Sequence, residues 1–249
     1  MLPTVSKPLG VPAGPAGLVL GDKLPDFKDI ILPRVNIVQN IGKMSESYNS
    51  GELVFNQQTV LYSPPVINAK TSTVEQPGTP PLIVTVLGFR PTRFCEKVVG
   101  GARGLIVNSE AEVVAAGGTL DYQEWKLKEK AGMKRFEPLA DALVVIERPE
   151  ACKANEADFG YEIDGKWYAL GLWAMRGVVY TAAAKKVFFT HRAVGCLRKG
   201  YPSFSYAVTT RMETYPGGNS AWIPICVPAA KSTEAFLAFA SNLLNPTGE

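Results

Sequence analysis

Short runs of β-branched and aromatic residues recur between residues 34 and 147, and Gly, Pro, Asn or Ser bounds each run. Such runs are typical of β-strands, because branched and aromatic side chains pack well on a pleated surface. The predicted strands are Arg34–Val38, Glu52–Tyr62, Leu82–Phe89, Gly104–Val107 and Ala142–Glu147. Since these strands do not alternate regularly with helices, we expect an α+β, mainly β fold.

Three stretches lack the strand pattern. Residues 1–27 are rich in Pro and Gly without a sustained period, which predicts a flexible arm. Residues 63–81 contain five prolines among small polar residues and indicate a long surface loop. Residues 121–138 carry many charges, as an exposed loop or a short helix does. We therefore expect a single domain over residues 28–249 with long loops at 63–81 and 121–138.

The last third of the chain predicts longer elements. Asp164-Gly165 favours a tight hairpin turn, because Gly tolerates a positive φ. The other predicted elements are a helix over Val179–Thr190, a hairpin of Phe204–Met212 with Trp222–Val227, and an amphipathic C-terminal helix over Ser232–Leu244.

Residues that carry common enzyme chemistry are sparse. The four cysteines are scattered and form no Cys-x-x-Cys pair, so we expect reduced core thiols rather than a zinc site. His191 is the only histidine and has no recognisable nucleophile beside it, which favours a packed or surface role. The segment 160–167 resembles a phosphate loop, but Trp167 stands where a Ser or Thr hydroxyl would bind magnesium. We expect a protein without enzymatic activity, cofactor or metal.

Charge is distributed unevenly, although the formal net charge is only +3. Residues 165–212 contain eight basic residues and no Asp or Glu, so this acid-free window carries +8 and the rest of the chain −5. Nine of the 24 aromatic residues also lie in it. Basic side chains neutralise phosphates, and flat rings stack on unpaired bases for roughly 1–3 kcal/mol per base. The combination is what a groove for single-stranded nucleic acid requires.

The same window also has a structural interpretation, because alternate residues of a strand point to opposite faces. Trp167, Ala169, Gly171 and Trp173 share one side of a predicted strand, and Tyr168, Leu170 and Leu172 share the other. In the following strand, Phe204, Tyr206, Val208 and Thr210 lie together. On this interpretation, about half of the aromatic residues are core and the basic residues form a solvated face.

A smaller basic cluster precedes the window. Arg90, Arg93 and Lys97 follow the strand Leu82–Phe89, and Phe94 is interleaved with them. Single surface arginines explain this cluster as well as a nucleic-acid contact does.

Several short motifs occur in a family-like order. They are Ile31–Gln39, Ser50–Val54, the strand Pro81–Phe89, Arg93, Gly100-Gly101, Leu172–Gly177 and Tyr180–Ala183. In these residues the chain resembles a family of bacteriophage proteins that includes single-stranded DNA-binding proteins, over most of residues 30–244. The resemblance implies an accessory of phage DNA replication or recombination in the cytoplasm of the bacterial host, on an OB-like β-barrel. Phage proteins of this type often end in an acidic tail. Residues 243–249 of this chain do not match that pattern.

We therefore predict a sequence-tolerant single-stranded DNA-binding protein on an OB-like β-barrel with added helices and a C-terminal helix. The residues predicted to meet phosphates are Arg90, Arg93, Lys166, Arg176, Lys185, Lys186 and Arg211. The rings predicted to stack on bases are Trp167, Tyr168, Trp173 and Tyr206. The expected partners are single-stranded DNA and replication proteins, not a membrane, and self-association is left open. The alternative is a phage structural or assembly protein, such as a capsid or tail component.

Overall fold

A computed structural model of the protein describes residues 32–68, 70–98, 104–152, 158–193, 200–215 and 218–244. Residues 32–249 form one compact unit. The described chain is mainly β with a few helices, as the sequence predicts. The predicted arm at residues 1–27 lies outside the described residues, as do Cys196, Arg198 and Lys199.

Fourteen strands occur in the described residues. In chain order they are β1 (Arg34–Ile37), β2 (Leu53–Phe55), β3 (Thr59–Tyr62), β4 (Val66–Ile67), β5 (Val74–Gln76), β6 (Leu82–Phe89), β7 (Arg93–Glu96), β8 (Ile106–Val107), β9 (Gly118–Thr119), β10 (Lys134–Glu147), β11 (Tyr161–Ile163), β12 (Lys166–Arg176), β13 (Phe204–Thr214) and β14 (Ser220–Lys231). Twelve of them form one sheet, and β4 and β5 form a separate two-stranded ribbon.

The large sheet has the strand order β14-β13-β6-β10-β12-β1-β2-β3 and curls into a half-barrel. Its centre is the antiparallel pair β10 and β12, in register from Leu139 opposite Arg176 to Glu147 opposite Tyr168. Strand β1 runs parallel to β12 and places Val35 opposite Trp173. The strands β7, β8, β9 and β11 extend the sheet beside this path.

Both predicted hairpins are confirmed. Asp164 and Gly165 have φ values of 53° and 74°, so the two central turn residues adopt the left-handed conformation that a tight hairpin turn requires. The β13–β14 hairpin pairs from Phe204 opposite Lys231 to Thr214 opposite Ser220. It is longer than the sequence predicts, because its strands continue past the apolar runs that mark their centres.

Two local predictions change in the structure. The predicted strand Glu52–Tyr62 is two strands, because Asn56 and Gln57 have positive φ values of 51° and 57° and turn the chain between β2 and β3. The predicted loop 63–81 contains the β4–β5 ribbon. Residues 121–138, for which the sequence left a loop or a short helix open, contain a helix, Tyr122–Lys128, and the start of β10. The Asp121 side chain caps this helix by accepting a 2.8 Å hydrogen bond from the Glu124 N–H.

Helices cover both faces of the sheet. The central helix, residues 177–193, includes a π-helical segment, Tyr180–Phe189, and buries Ala183, Ala184 and Phe188 against one face. The C-terminal helix, Glu234–Leu244, is confirmed and packs Phe236 and Ala240 on Leu87 and Val145. Since neighbouring strand residues face opposite ways, these clusters lie on opposite faces. A third helix, Glu110–Ala115, packs Val113 against Phe136.

None of the helices in the described part of the chain has the length and apolar character of a membrane span.

Candidate nucleic-acid interface

Two of the four rings predicted to stack on bases are core residues. Trp173 and Tyr206 are each 1% exposed. The Phe188 ring of the central helix lies between them, with centroid distances of 6.3 Å to Trp173 and 4.9 Å to Tyr206. The Tyr206 hydroxyl lies 3.0 Å from His191 Nδ1, which gives His191 a packed role. Because the central helix covers this sheet face, neither Trp173 nor Tyr206 presents a free ring face to a base.

The other two predicted rings lie at the start of β12 together with Lys166. The Lys166 ammonium pairs with Glu147 at 2.9 Å, and the Arg148 guanidinium lies 5.5 Å from the Trp167 ring centroid. Tyr168 packs on Phe236 of the C-terminal helix, and burial raises the pKa of its phenol to about 12. Arg176 is at the other end of this 11-residue strand, about 26 Å along it from Tyr168 and about 33 Å from Lys166. The acid-free window therefore does not form one surface.

The predicted phosphate ligands Arg90, Arg93 and Lys185 have different environments. The Arg93 guanidinium makes an ion pair with Asp141, which is only 4% exposed. The Arg90 side chain is exposed, and its backbone N–H donates to the Asp141 carbonyl at 2.9 Å. Lys185 is exposed on the central helix. Arg93 therefore compensates a buried carboxylate instead of presenting a free charge.

Three predicted phosphate ligands come together in the structure. Lys186 and Arg211 line a cavity of about 550 Å³, and Arg176 lines an adjoining cavity of about 720 Å³. We name the two cavities together the basic cleft. Lys97 and Arg135 line both cavities. The other residues shared by the two cavities are Glu137, Gly177, Val178 and Tyr215.

Local structure explains why these side chains converge. Arg176 ends β12, and Gly177, with a φ of +55°, turns the chain directly into the central helix. Lys186 lies further along that helix, on the side that faces the cleft. Arg211, Glu213 and Tyr215 alternate along β13 and its end, so they share the face opposite the buried Thr210.

The cleft carries more positive than negative charge. Of the described residues, five basic and two acidic side chains line it, for a formal sum of +3. Glu137 pairs with Lys97 at 3.3 Å and with Arg135 at 3.0 Å. Among the described residues, Arg176, Lys186 and Arg211 form no ion pair.

The start of the central helix adds to this positive potential. Within the described residues no side chain caps the helix at Arg176, and the first N–H groups of a helix carry a partial positive charge. The Glu137 carboxylate is close to this end, since a Cβ on Gly177 would lie 2.9 Å from Glu137 Oε2. Tyr215 lines both cavities, and burial, followed by the neighbouring Glu213, raises the pKa of its phenol.

An aromatic pair that the sequence did not predict, Tyr122 and Trp125, lies beside the cleft. The Arg135 guanidinium is 4.9 Å from the Tyr122 ring centroid and 5.5 Å from that of Trp125. Lys97, Arg135 and Tyr215 are likewise absent from the predicted phosphate ligands. The sequence signals for the region are the small cluster of Lys97 with Arg90 and Arg93, and the run of charges from Lys126 to Arg135, which is equally typical of a solvated loop.

In comparisons with known proteins, no family model, curated protein or solved structure matches this chain. These comparisons do not bear on the resemblance to phage DNA-binding proteins, which stays an expectation.

Proposed function

We propose that the basic cleft binds the phosphate backbone of single-stranded DNA and that the protein is a non-enzymatic, sequence-tolerant DNA-binding protein. One observation carries the proposal: Lys186 and Arg211 line one cavity of the basic cleft, Arg176 lines the adjoining cavity, and none of the three has a carboxylate partner among the described residues. Like charges gathered in one cleft repel each other, and a polyanion relieves that repulsion while it releases its own counterions.

The charge of the cleft sets the expected salt dependence. A formal sum of +3 corresponds to about three neutralised phosphates. For single strands, each phosphate contributes about −0.7 to the slope of log K against log salt concentration, so we expect a slope of about −2. Such a slope is moderate, and binding is therefore measurable at low salt and weak at high salt.

Two finer parts of the proposal concern the fold that carries the binding groove and the biological process in which the protein acts. The curled sheet supports an OB-like mode of binding, in which strands and the connections between them form the walls of a groove. A role in phage DNA replication or recombination rests on the sequence resemblance alone.

The test is fluorescence anisotropy with a labelled oligo-dT strand at several salt concentrations. We expect Arg176→Gln/Arg211→Gln to bind at least about tenfold more weakly than the wild type at low salt, because two charged contacts are lost. We also expect the salt slope to fall to about −1. Circular dichroism melting checks that the variant is folded.

The matched control removes the same charge elsewhere. Lys70→Gln/Lys231→Gln changes two exposed lysines. Lys231 pairs with Phe204 at the far end of the hairpin, about 25 Å along β14 from Ile223, the partner of Arg211. The control should keep wild-type affinity. Equal losses in the two double variants, or no binding by the wild type at low salt, would overturn the proposal.

The same samples test the alternative of a structural or assembly protein. Large homomeric particles in light scattering, together with no affinity for oligo-dT, would favour that alternative over the cleft as a DNA site.

A further inference from the structure

Tyr122 and Trp125 form an aromatic pair on the short helix Tyr122–Lys128. Residues three apart are neighbours on a helix surface, and the two ring centroids are 5.7 Å apart. Tyr122 is 46% exposed, and Trp125 is half-buried. The two ring planes are inclined by 39°, and the pair presents a partly exposed aromatic surface to solvent.

Arg135 joins this pair to the basic cleft. Its guanidinium lies against both rings, and the same side chain lines both cavities of the cleft. Glu137 forms an ion pair with the Arg135 guanidinium at 3.0 Å. Arg135 is thus held between the rings and a carboxylate, so the aromatic pair and the phosphate-binding cations have a defined relative position.

The helix that carries the rings is also well anchored. Asp121 caps its first turn, and the Thr119 hydroxyl donates a 2.7 Å hydrogen bond to Glu124. Lys126 and Lys130 are exposed on the same segment and make no ion pair within the described residues. Unpaired cations next to exposed rings are the two components that single-strand binding combines.

We infer that Tyr122 and Trp125 are a stacking platform for unpaired bases and give the cleft its preference for single-stranded over duplex DNA. This inference rests on the proposed function of the basic cleft. In a duplex the base faces are covered by their neighbours, so the platform contributes only to strands whose bases are free. Trp173 and Tyr206, which the sequence predicted to stack on bases, have buried rings. On this inference Tyr122 and Trp125 stack on the bases instead.

The test compares three ligands of equal length: oligo-dT, the corresponding duplex, and an abasic deoxyribose-phosphate strand. In Tyr122→Leu/Trp125→Leu, we expect oligo-dT affinity to fall about tenfold or more. Affinity for the abasic strand and the duplex should stay at the wild-type level, because their phosphates are unchanged. Tyr122→Phe/Trp125→Phe keeps two rings and should restore most of the affinity.

Tyr161→Leu is the matched control. Tyr161 is also an exposed ring packed on a second ring, Phe239 at 5.2 Å, but it lies on β11, which pairs with the start of β12, far from the cleft. Its removal should leave all three affinities unchanged.

The outcomes separate the two proposals. If the double leucine variant is folded and binds oligo-dT like the wild type, while Arg176→Gln/Arg211→Gln is weakened, the platform is overturned and the cleft stands. If the wild type binds none of the three ligands, both proposals are overturned. If wild-type affinities for oligo-dT and the abasic strand are equal, base stacking is excluded.

Discussion

The indole of Trp222 covers Gly51 so closely that a Cβ on Gly51 would lie 2.6 Å from the indole Cε3. The Gln39 side-chain amide exchanges two 2.9 Å hydrogen bonds with the Trp222 backbone, and the indole N–H donates to Asn40 at 3.1 Å. Because β14 begins the strand order and β1, β2 and β3 end it, these contacts tie the two ends of the curled sheet together. Gln39 also lines the basic cleft.

The contact predicts that Gly51→Ala is strongly destabilising. Gly51 has a φ of +90°, and the new methyl group meets a large ring that cannot move away easily. We expect a loss of about 2–5 kcal/mol in the free energy of unfolding, from backbone strain and overpacking together. Gly132→Ala is the control, since Gly132 has a φ of +84° but no atom of the described residues within 4 Å of an added Cβ. Urea unfolding should show the larger loss for Gly51→Ala, and equal losses would contradict the contact.

The central helix is held to the sheet by Phe188. Phe188→Ala removes the ring that lies between Trp173 and Tyr206 and leaves a cavity at the centre of the core. We expect a loss of about 3–5 kcal/mol in the free energy of unfolding. Phe189→Ala, at a half-buried neighbouring position, should cost clearly less in the same chemical denaturation experiment. A larger loss for Phe189→Ala would show that the helix packs in another rotation.

Arg93 is expected to stabilise the fold rather than bind DNA. Arg93→Ala leaves the buried carboxylate of Asp141 without its cation, which should lower the free energy of unfolding by about 2 kcal/mol. Adding Asp141→Asn to Arg93→Ala should recover part of the loss, because the uncompensated charge is gone. Affinity for oligo-dT should be the same in the wild type and in both variants. A folded Arg93→Ala variant with weakened DNA binding would contradict this assignment.

Tyr168 should make the protein sensitive to alkali. Burial, followed by the charges of Glu147 and Asp164, raises the pKa of its phenol to about 12. The unfolded chain has an ordinary tyrosine pKa of about 10, so it loses this proton first as the pH rises. The stability contributed by the neutral phenol is therefore complete below about pH 10 and is lost as the pH approaches 12.

The measurement is the free energy of unfolding of the wild type and of Tyr168→Phe between pH 9 and 12. The variant has no phenol to titrate at this position, and its stability should fall less steeply over this range. Parallel curves for the two proteins would show that Tyr168 titrates normally in the folded state.

Local signals predicted the elements of this fold well. Asp164-Gly165 specifies its turn because both residues tolerate positive φ, and the alternation of Tyr206, Val208 and Thr210 marks the buried face of β13. The split between β2 and β3 was not predicted, because Asn56 and Gln57 interrupt a β-type run with no Gly or Pro. For residues 121–138 the sequence left a loop or a short helix open, because the charges there are as typical of a loop as of a helix.

The residues of the candidate site were predicted only in part. Arg176, Lys186 and Arg211 were predicted from the charge pattern and line the two adjoining cavities of the basic cleft. Lys166 belongs to the same acid-free window, but it pairs with Glu147 at the other end of β12. A count of charges along the chain contains no information on which carboxylate lies opposite each cation.

The sequence by itself determined the mainly β class, the hairpins, the C-terminal helix and the polarised distribution of charge, since each depends on residues close together in the chain. Only the tertiary structure decided that Trp173 and Tyr206 are core, that Arg93 is paired, and that Arg135 links two exposed rings to the cleft. These outcomes depend on how the central helix lies on the sheet and on which distant strands pair. Packing between elements far apart in sequence sets both.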